Sequence, residues 1–239
     1  GYMVYFGTGK YLENGDKTAP TTLPPGNYNY FYGIWDPHSG ASIGGSDTAR
    51  VPKTRLRNQT VSNVTYSSVE YRTVTDNKLG SAGTEGDAQS WGESGTACNN
   101  AGGKCMGWVD SFPGAGEMMV SNPVLLGGTV PRIIFTTIVP ESAACSYGGQ
   151  SWLMELNPIH GGRFTSDVFG LTSTIGGSNA ATIVGRNPQI GIMPEPTILR
   201  DPSNSRDLKI LTGSSGTVTS VVNSSGKAKG GRQSWRQLK

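Results

Sequence analysis

The sequence predicts an all-β fold of the β-propeller type, and three observations support this class. Glycine occurs 35 times and proline 14 times in 239 residues, while only 15% of the residues are charged. This composition suits many turns between short strands rather than helices. Apolar residues alternate with other residues in segments such as SWLMEL at 151–156, which indicates strands. The third observation is a turn pattern that recurs along the chain at intervals comparable to propeller blades.

The recurring turn consists of Asp or Asn, proline, two variable residues and glycine, and it follows an apolar run. It occurs at Asp36–Gly40 and at Asn157–Gly161, with weaker versions at Asp76–Gly80 and Asn223–Gly226. We expect the Asp or Asn side chain to bond the backbone two residues further on, and the glycine to take the strained position. The spacing of the turns favours four or five irregular blades of roughly 40–50 residues each.

The strands between the turns can be placed from local patterns. The chain opens with a strand-like segment at 2–6. Two apolar runs within 119–139 flank Gly127-Gly128, which predicts a tight hairpin. The second run, IIFTTIV at 133–139, is apolar on both faces, as expected for a strand buried on both sides. The same order of proline, apolar run, polar turn and strand recurs at 196–212.

The next strand and the start of the chain bear on the domain organisation. Alternation in SWLMEL places Trp152, Met154 and Leu156 on one face, which predicts that Trp152 belongs to the core. Because the chain opens inside a strand, we expect residues 1–239 to be the C-terminal part of a single, modified seven-bladed propeller. The first strands would then pair with preceding sequence.

Two polar segments, 76–107 and 172–190, are predicted loop insertions, because both are rich in glycine and poor in apolar residues. Cys98 and Cys105 bracket a six-residue polar spacer in the first of them. We predict a disulfide between these two cysteines, since a zinc site needs more ligands and no histidine lies near in sequence. Cys145 is then either free or paired with a residue outside this segment.

Several function classes are disfavoured by what the sequence lacks. The two histidines, His38 and His160, both lie in the recurring turns, so a hydrolytic triad is not expected. Neither a G-x-S-x-G elbow nor a Walker loop occurs. The net charge is only +3, and the basic segment Lys227–Lys239 is interpreted as a solvated terminus rather than a nucleic-acid surface. No apolar run reaches the ~18 residues of a transmembrane helix.

The chain resembles the PilC/PilY family of type IV pilus tip proteins, and specifically the last part of their C-terminal propeller. The resemblance extends from residue 2 to residue 238. The closing SWRQL and the string SWLMEL, followed by a turn and GGR, are its most specific parts. The matching segments are VYFGTGKYLE, FYGIWDPHSG, MVSNPVLLGGTVPRIIFTTIVP, SWLMELNPIHGG and GRQSWRQL.

The resemblance implies a protein that acts by binding and has no catalytic residues. Such a protein would be extracellular, at the pilus tip and outer membrane of a Gram-negative bacterium. Its partners would be minor pilins, a host-cell or surface receptor and the remainder of its own propeller, without nucleic acid. Some members carry an Asp-rich calcium loop where this chain reads VFGLTSTIGG, at 168–177. We therefore expect no metal or cofactor in this segment.

The resemblance implies a pilus-tip adhesin and assembly factor, and two alternatives share the same propeller pattern. A quinoprotein-type dehydrogenase would need acidic metal ligands and a stacking tryptophan at the propeller axis, and turnover with added quinone and calcium would identify it. A purely structural propeller fragment would have no ligand of its own. A pull-down against minor pilins would separate that possibility from the adhesin.

Overall fold

The structure, a computed structural model, describes residues 1–17, 29–36, 51–77, 98, 105–127, 130–143, 145–165, 168–169, 183–201 and 206–224. In these residues helical structure is limited to two short 3-10 turns, Asn14–Lys17 and Lys53–Arg55, and no helix is long enough to cross a membrane. The described residues form twelve strands: β1 Tyr2–Gly7, β2 Tyr30–Asp36, β3 Arg57–Tyr66, β4 Val69–Val74, β5 Gly107–Ser111, β6 Val124–Leu126, β7 Arg132–Pro140, β8 Gly149–Leu156, β9 Ile183–Arg186, β10 Thr197–Asp201, β11 Arg206–Thr212 and β12 Val218–Ser224.

The strands are arranged in two sheets. Nine strands form one sheet in the order β1-β2-β5-β3-β4-β9-β8-β7-β6, and the other three form a sheet in the order β10-β11-β12. The turn spacing predicts separate blades, but the described strands of the larger sheet are continuous. The reason is strand β3, whose residues 57–60 pair in parallel with β5 while residues 61–66 pair antiparallel with β4.

The nine-stranded sheet is strongly curled. Five strands separate β2 from β7 in the sheet order, yet Phe31 of β2 stacks on Phe135 of β7 with ring centroids 4.0 Å apart. Neighbouring strands lie about 4.8 Å apart, so a flat sheet would separate these two by about 29 Å. The two ends of the sheet therefore face each other across a closed apolar interior, and the all-β, propeller-like fold class is confirmed.

The segment that precedes β6 joins the two ends of the curled sheet. The Met119 N–H donates to the carbonyl of Thr8, directly after β1, at 3.0 Å. One residue earlier, Met118 exchanges two 2.8 Å backbone hydrogen bonds with Ile138 of β7. The curl is thus held by backbone pairing as well as by side-chain packing.

Each face of the curled sheet contributes to a separate core. Strand β7 is buried on both faces, as predicted from IIFTTIV. Alternate residues of β8 point to opposite sides, with Trp152, Met154 and Leu156 in the interior core and Leu153 in the outer one. The outer core lies between the two sheets and includes Leu211 of β11.

A buried ion pair crosses the interior of the curl. Arg72 of β4 donates two hydrogen bonds to the carboxylate of Glu117, at 2.5 and 2.7 Å, and both side chains are almost fully buried. Thr137 donates a further hydrogen bond to Glu117, and the Arg72 guanidinium lies 3.8 Å from the ring centre of Trp152. This bidentate geometry compensates for the desolvation of both charges.

Several predictions of local structure need correction. The segment 172–190 is not loop throughout, because Ile183–Arg186 form β9 in the middle of the large sheet and pair with β4 and β8. Most of the insertion predicted at 76–107 lies outside the described residues, and its last residue, Gly107, begins β5. The two-residue hairpin at Gly127-Gly128 is wrong in length, since the antiparallel pairing of β6 and β7 starts only at Leu126 and Arg132.

Of the recurring turns predicted from the sequence, one is wrong, one is described in full and the others extend beyond the described residues. Asn223 is wrong as a turn residue, because it lies inside β12 opposite Asp207 and is fully buried. Asp36 ends β2, but the rest of its predicted turn lies outside the described residues, as do Gly80 and Gly226. The turn that begins at Asn157 is described in full and is treated with the site.

Candidate functional site

The structure joins Cys98 and Cys105 in a disulfide, with their Cα atoms 4.6 Å apart. Cys105 is fully buried just before β5, and the Cys98 N–H donates to the carbonyl of Thr54 at 2.7 Å. The bond therefore links Cys98 to the buried residue that precedes β5. Cys145 is a free, exposed cysteine in the connection between β7 and β8.

The turn that begins at Asn157 has the predicted geometry. The Asn157 Oδ1 accepts a 2.8 Å hydrogen bond from the Ile159 N–H, two residues on, and Gly161 has a φ of 71°. His160 is buried, and its Nδ1 accepts a 3.0 Å hydrogen bond from the Gly162 N–H. His160 thus has a structural role in the turn, as the sequence predicted.

A polar cleft of about 390 Å³ lies at one end of four neighbouring strands and is the best candidate for a binding site. It is built where β4 and β8 begin and where β7 and β9 end. Glu70 comes from β4, Gln150 from β8 and Glu141 from the residue after β7. The connections at 145–149 and 187–191 complete its walls. Adjacent antiparallel strands bring these loops together although they are distant in sequence.

The floor of the cleft is organised by Asn187, which is 96% buried. Its Nδ2 donates to Glu70 Oε2 at 2.7 Å and to Gln150 Oε1 at 3.2 Å. Its Oδ1 accepts from the Gln189 N–H at 2.8 Å, and its own N–H donates to the Glu70 carbonyl at 2.9 Å. One buried amide therefore fixes two side chains that line the cleft, Glu70 and Gln150, together with the backbone of Gln189.

Two of the four non-glycine residues with positive φ in the described part of the chain line this cleft, and the other two form a neighbouring turn. Tyr147 (φ 54°) and Gln189 (φ 58°) line the cleft itself. Ser67 (φ 48°) and Ser68 (φ 64°) form the two-residue turn between β3 and β4, and the Ser68 carbonyl accepts a hydrogen bond from Gln189 Nε2. Left-handed conformations are costly for a residue as bulky as tyrosine, and such strain concentrates at functional sites.

A turn of the three-stranded sheet forms hydrogen bonds with both walls of the cleft. In the turn between β11 and β12, the Ser214 hydroxyl donates to the Tyr147 carbonyl and accepts a 2.8 Å hydrogen bond from the Ile192 N–H. The Ser215 N–H donates to the Ile190 carbonyl at 3.2 Å. Both walls of the cleft are thus bonded to the same turn.

The cleft is acidic and rich in acceptors. Among the described residues, its lining has two carboxylates, Glu70 and Glu141, and no basic side chain. Tyr147 presents an aromatic ring at the rim and is 60% exposed. Elsewhere, no group of three or more His, Cys, Asp or Glu residues in the described part of the chain could hold a metal ion.

A second group of charged residues lies between the two sheets and is fully buried. Glu155 of β8 accepts from Arg132 of β7 at 3.2 Å and lies 2.8 Å from the ammonium of Lys209 in β11. Asp207 accepts from Arg132, and Asn223 donates to Glu155. Burial lowers the pKa of both Arg132 and Lys209, and the charge of Glu155 opposes that shift. This cluster of two cations and two anions joins the sheets.

Burial raises the pKa of Asp110 well above the ordinary range of an aspartate. It lies in β5 opposite Phe31, it is 1% exposed, and both of its carboxylate oxygens lack a partner among the described residues. Asp110 is therefore a buried group without a polar partner among the described residues rather than part of a polar site.

Sequence reasoning missed the cleft because its residues come from two polar loops and the start of β4, which each resemble ordinary surface. The signal that could have pointed to it is the string YGGQ at 147–150, where a bulky residue precedes two glycines. Both glycines have positive φ, and Tyr147 shares that conformation. A second signal is Asn187-Pro188, which repeats the Asx-Pro start of the recurring turn.

Comparison with known proteins identifies relatives, although no family model matches the chain. The type IV pilus biogenesis factor PilY1 of Pseudomonas aeruginosa is 30% identical over 180 residues, which cover 72% of this chain and 14% of the relative. A PilY1 homologue of Xylella fastidiosa is 28% identical over 239 residues, which cover 98% of this chain and 16% of the relative. The chain thus spans only 14 to 16% of the length of these curated relatives.

A solved structure supports the same relationship at the level of the fold. The crystal structure of the Pseudomonas aeruginosa PilY1 C-terminal domain aligns with a TM-score of 0.60 at 23% sequence identity. The alignment covers 95% of this chain and 42% of that structure. Since sequence similarity extends over most of the chain and the same fold accompanies it, the chain belongs to the PilC/PilY family, as the motifs had indicated.

Proposed function

We propose that this protein is a pilus-tip adhesin and assembly factor of bacterial type IV pili, which acts by binding rather than by catalysis. In this role it promotes pilus extension, surface attachment and twitching motility. It would reside outside a Gram-negative cell, at the pilus tip and outer membrane. The observation that carries the proposal is the 30% identity over 180 residues with a protein named as a type IV pilus biogenesis factor.

Features of the fold are consistent with a binding protein. The cleft is concave and is formed by loops at the ends of paired strands, a place where binding residues commonly occur. His160, the histidine within the described residues, is committed to a buried turn. The relatives reported above carry the names of pilus biogenesis factors and not of enzymes.

The remainder of the propeller is one partner that we propose. Strand β1 pairs with β2 on one side, and no described strand pairs with its other edge. Its outward face exposes Tyr2, Val4 and Phe6 by 63%, 50% and 39%. An open edge with a contiguous apolar face favours pairing with another strand. The matched domain is more than twice as long as the part aligned here, so it contains enough chain to cover β1.

The partner proposal predicts that residues 1–239 alone bind a hydrophobic dye. Adding the preceding residues of the parent protein should remove that binding. A soluble monomer of residues 1–239 with a sharp, cooperative melt and no dye binding would contradict this part of the proposal.

The proposed function can be tested by deleting the protein in its own host. We expect the deletion to reduce the amount of pili sheared from the cell surface and to reduce attachment and twitching. Complementation should restore all three, and the protein should co-purify with minor pilins from the sheared fraction. Normal piliation, attachment and twitching in the deletion strain would refute the proposal.

A further inference from the structure

We infer that the cleft formed by the 145–149 and 187–191 connections binds a neutral, hydroxyl-rich ring, such as a hexose unit of a surface glycan. The juxtaposition that carries the inference is an exposed aromatic ring above a floor of fixed amide and carboxylate acceptors. The inference rests on the proposed adhesive function for its biological setting, whereas the site itself is defined by its geometry.

The hydrogen-bonding groups of the cleft that lack a partner are mainly carboxylate oxygens, which accept hydrogen bonds. They therefore favour a ligand that donates hydrogen bonds. Glu70 uses Oε2 to accept from Asn187, which leaves Oε1 without a protein partner among the described residues. The side-chain carboxylate of Glu141 has no hydrogen bond within that part of the chain either. Gln150 Oε1 accepts from Asn187, so its Nε2 remains available as a donor. A ring with several hydroxyls matches this set, because each hydroxyl can both donate and accept.

The aromatic ring at the rim complements the remaining face of such a ligand. Tyr147 has a φ of 54°, and its side chain is 60% exposed. A strained backbone conformation therefore places an aromatic ring at the surface. Tyrosine offers a large apolar body with a polar tip, and the C–H face of a sugar ring can pack on that body. Core packing does not explain this position, since Tyr147 belongs to neither apolar core.

The charge of the cleft argues against anionic ligands, and its size argues against a lone cation. Two carboxylates without a basic neighbour in the lining repel phosphate, sulfate and carboxylate groups. A single ammonium group would leave most of the roughly 390 Å³ unfilled. It would also form only exposed ion pairs, which contribute little to affinity. A ring-sized ligand fills the cleft and uses the amides as well.

Hydrogen bonds within the protein already fix the residues at the floor of the cleft. Asn187 makes four hydrogen bonds to the cleft, and the turn at Ser214 holds the Tyr147 carbonyl in place. A fixed site avoids the ordering cost of mobile side chains on binding. Weak individual contacts with hydroxyls can therefore add up to specific recognition.

The test uses the intact protein immobilised on a sensor surface. The probes are neutral oligosaccharides that end in glucose, galactose, mannose or N-acetylglucosamine, with a lysine-rich peptide as the cationic probe. Binding is measured at about 0.1 M and about 1 M salt, where the Debye length falls from about 10 Å to about 3 Å. We expect at least one neutral oligosaccharide to bind with an affinity that is the same at both salt concentrations.

Two variants with matched controls locate the binding. Tyr147→Gly removes the ring and relaxes the left-handed backbone, so it should fold at least as well as the original protein. Glu141→Gln keeps the shape of an exposed side chain but removes its charge. Each should weaken saccharide binding by about tenfold or more. Tyr66→Ala and Glu195→Gln, outside the cleft, should leave it unchanged.

The outcomes separate this inference from the proposed function. Saccharide binding that is lost in both cleft variants but not in the controls, with normal piliation in the variant strains, supports the inference. Absence of saccharide binding, unchanged binding in Tyr147→Gly and Glu141→Gln, or binding of the lysine-rich peptide alone would overturn it. If the deletion strain lost its pili while the intact protein bound no saccharide, this inference would fail and the proposed function would stand.

Discussion

The ion cluster between the two sheets offers the sharpest test of how the fold is held together, through the substitution Glu155→Gln. Glu155 is the anion that lies 2.8 Å from the buried ammonium of Lys209. Arg132 also bonds Glu155, but it keeps a second carboxylate partner in Asp207. The substitution retains the shape of the side chain and removes its charge. Its main consequence is a fully buried lysine that has lost its nearest anion.

The expected loss of stability can be bounded from the free-energy cost of burying Lys209 without its anion. Breaking a buried ion pair by removing one partner typically costs 3–5 kcal/mol. The alternative for Lys209 is to fold without its proton, which at pH 7 costs about 4.6 kcal/mol for a lysine of ordinary pKa about 10.4. That route sets an upper limit on the lysine penalty. We therefore expect Glu155→Gln to lower the free energy of unfolding by about 3–4.5 kcal/mol at pH 7.

The loss of stability caused by Glu155→Gln should become smaller as the pH rises. Burial already lowers the pKa of Lys209 in the folded state, and the loss of Glu155 lowers it further. Between the lowered folded pKa and the unfolded pKa, the unfolded chain holds more protons, so stability rises with pH. At pH 9 the neutral route costs only about 1.9 kcal/mol. The difference between the original protein and the variant should shrink accordingly.

The assay is urea unfolding followed by tryptophan fluorescence, at pH 7 and pH 9, with a double variant for comparison. Lys209→Met in the Glu155→Gln background removes the orphaned cation, so the double variant should be about 2 kcal/mol or more stable than Glu155→Gln alone. The exposed Glu195→Gln serves as the control and should change stability by less than about 0.5 kcal/mol. A loss below about 1 kcal/mol at pH 7, or a double variant no more stable than Glu155→Gln, would refute this reasoning.

Three further predictions follow from other buried groups. Trp152→Ala should lower the free energy of unfolding by about 3–5 kcal/mol in a denaturant melt, because it empties an aromatic site in the interior core; a change below about 1 kcal/mol would contradict the burial of that ring. Mass spectrometry of a non-reduced digest should find the Cys98 and Cys105 peptides linked, and two free thiols in oxidised protein would count against the disulfide. The raised pKa of Asp110 means that the folded state keeps a proton which the unfolded chain releases above about pH 4. The original protein should therefore lose stability as pH rises from about 4 towards that pKa, and Asp110→Asn should not; equal slopes in pH-dependent melts would contradict this.

Features encoded by near neighbours in the chain could be predicted from the sequence. The apolar run IIFTTIV specifies a strand buried on both faces without reference to its partners, and β7 is such a strand. The turn at Asn157 depends on a hydrogen bond that reaches only two residues, to Ile159. In both cases the information lies within a few residues, and the structure agrees.

Features that depend on distant partners could not be predicted in this way. Strand β9 has four residues in a segment rich in glycine, serine and asparagine, and its place is fixed by pairing with β4 and β8. Asn223 resembles a turn residue, yet it is buried because it donates to Glu155, 68 residues away. The parallel pairing of β3 with β5, which makes the large sheet continuous, leaves no local signal either.

The buried charged cluster and the cleft are connected through the three-stranded sheet. Each non-glycine residue in the left-handed region costs about 1–3 kcal/mol and persists only where its surroundings determine the backbone. At Tyr147 that determinant is Ser214, which belongs to the three-stranded sheet. The position of that sheet depends in turn on the outer core and on the contact between Glu155 and Lys209. The charged residues buried between the sheets thus help to position the turn whose Ser214 bonds the Tyr147 carbonyl, so the backbone of this glycine-rich loop is fixed from the second sheet.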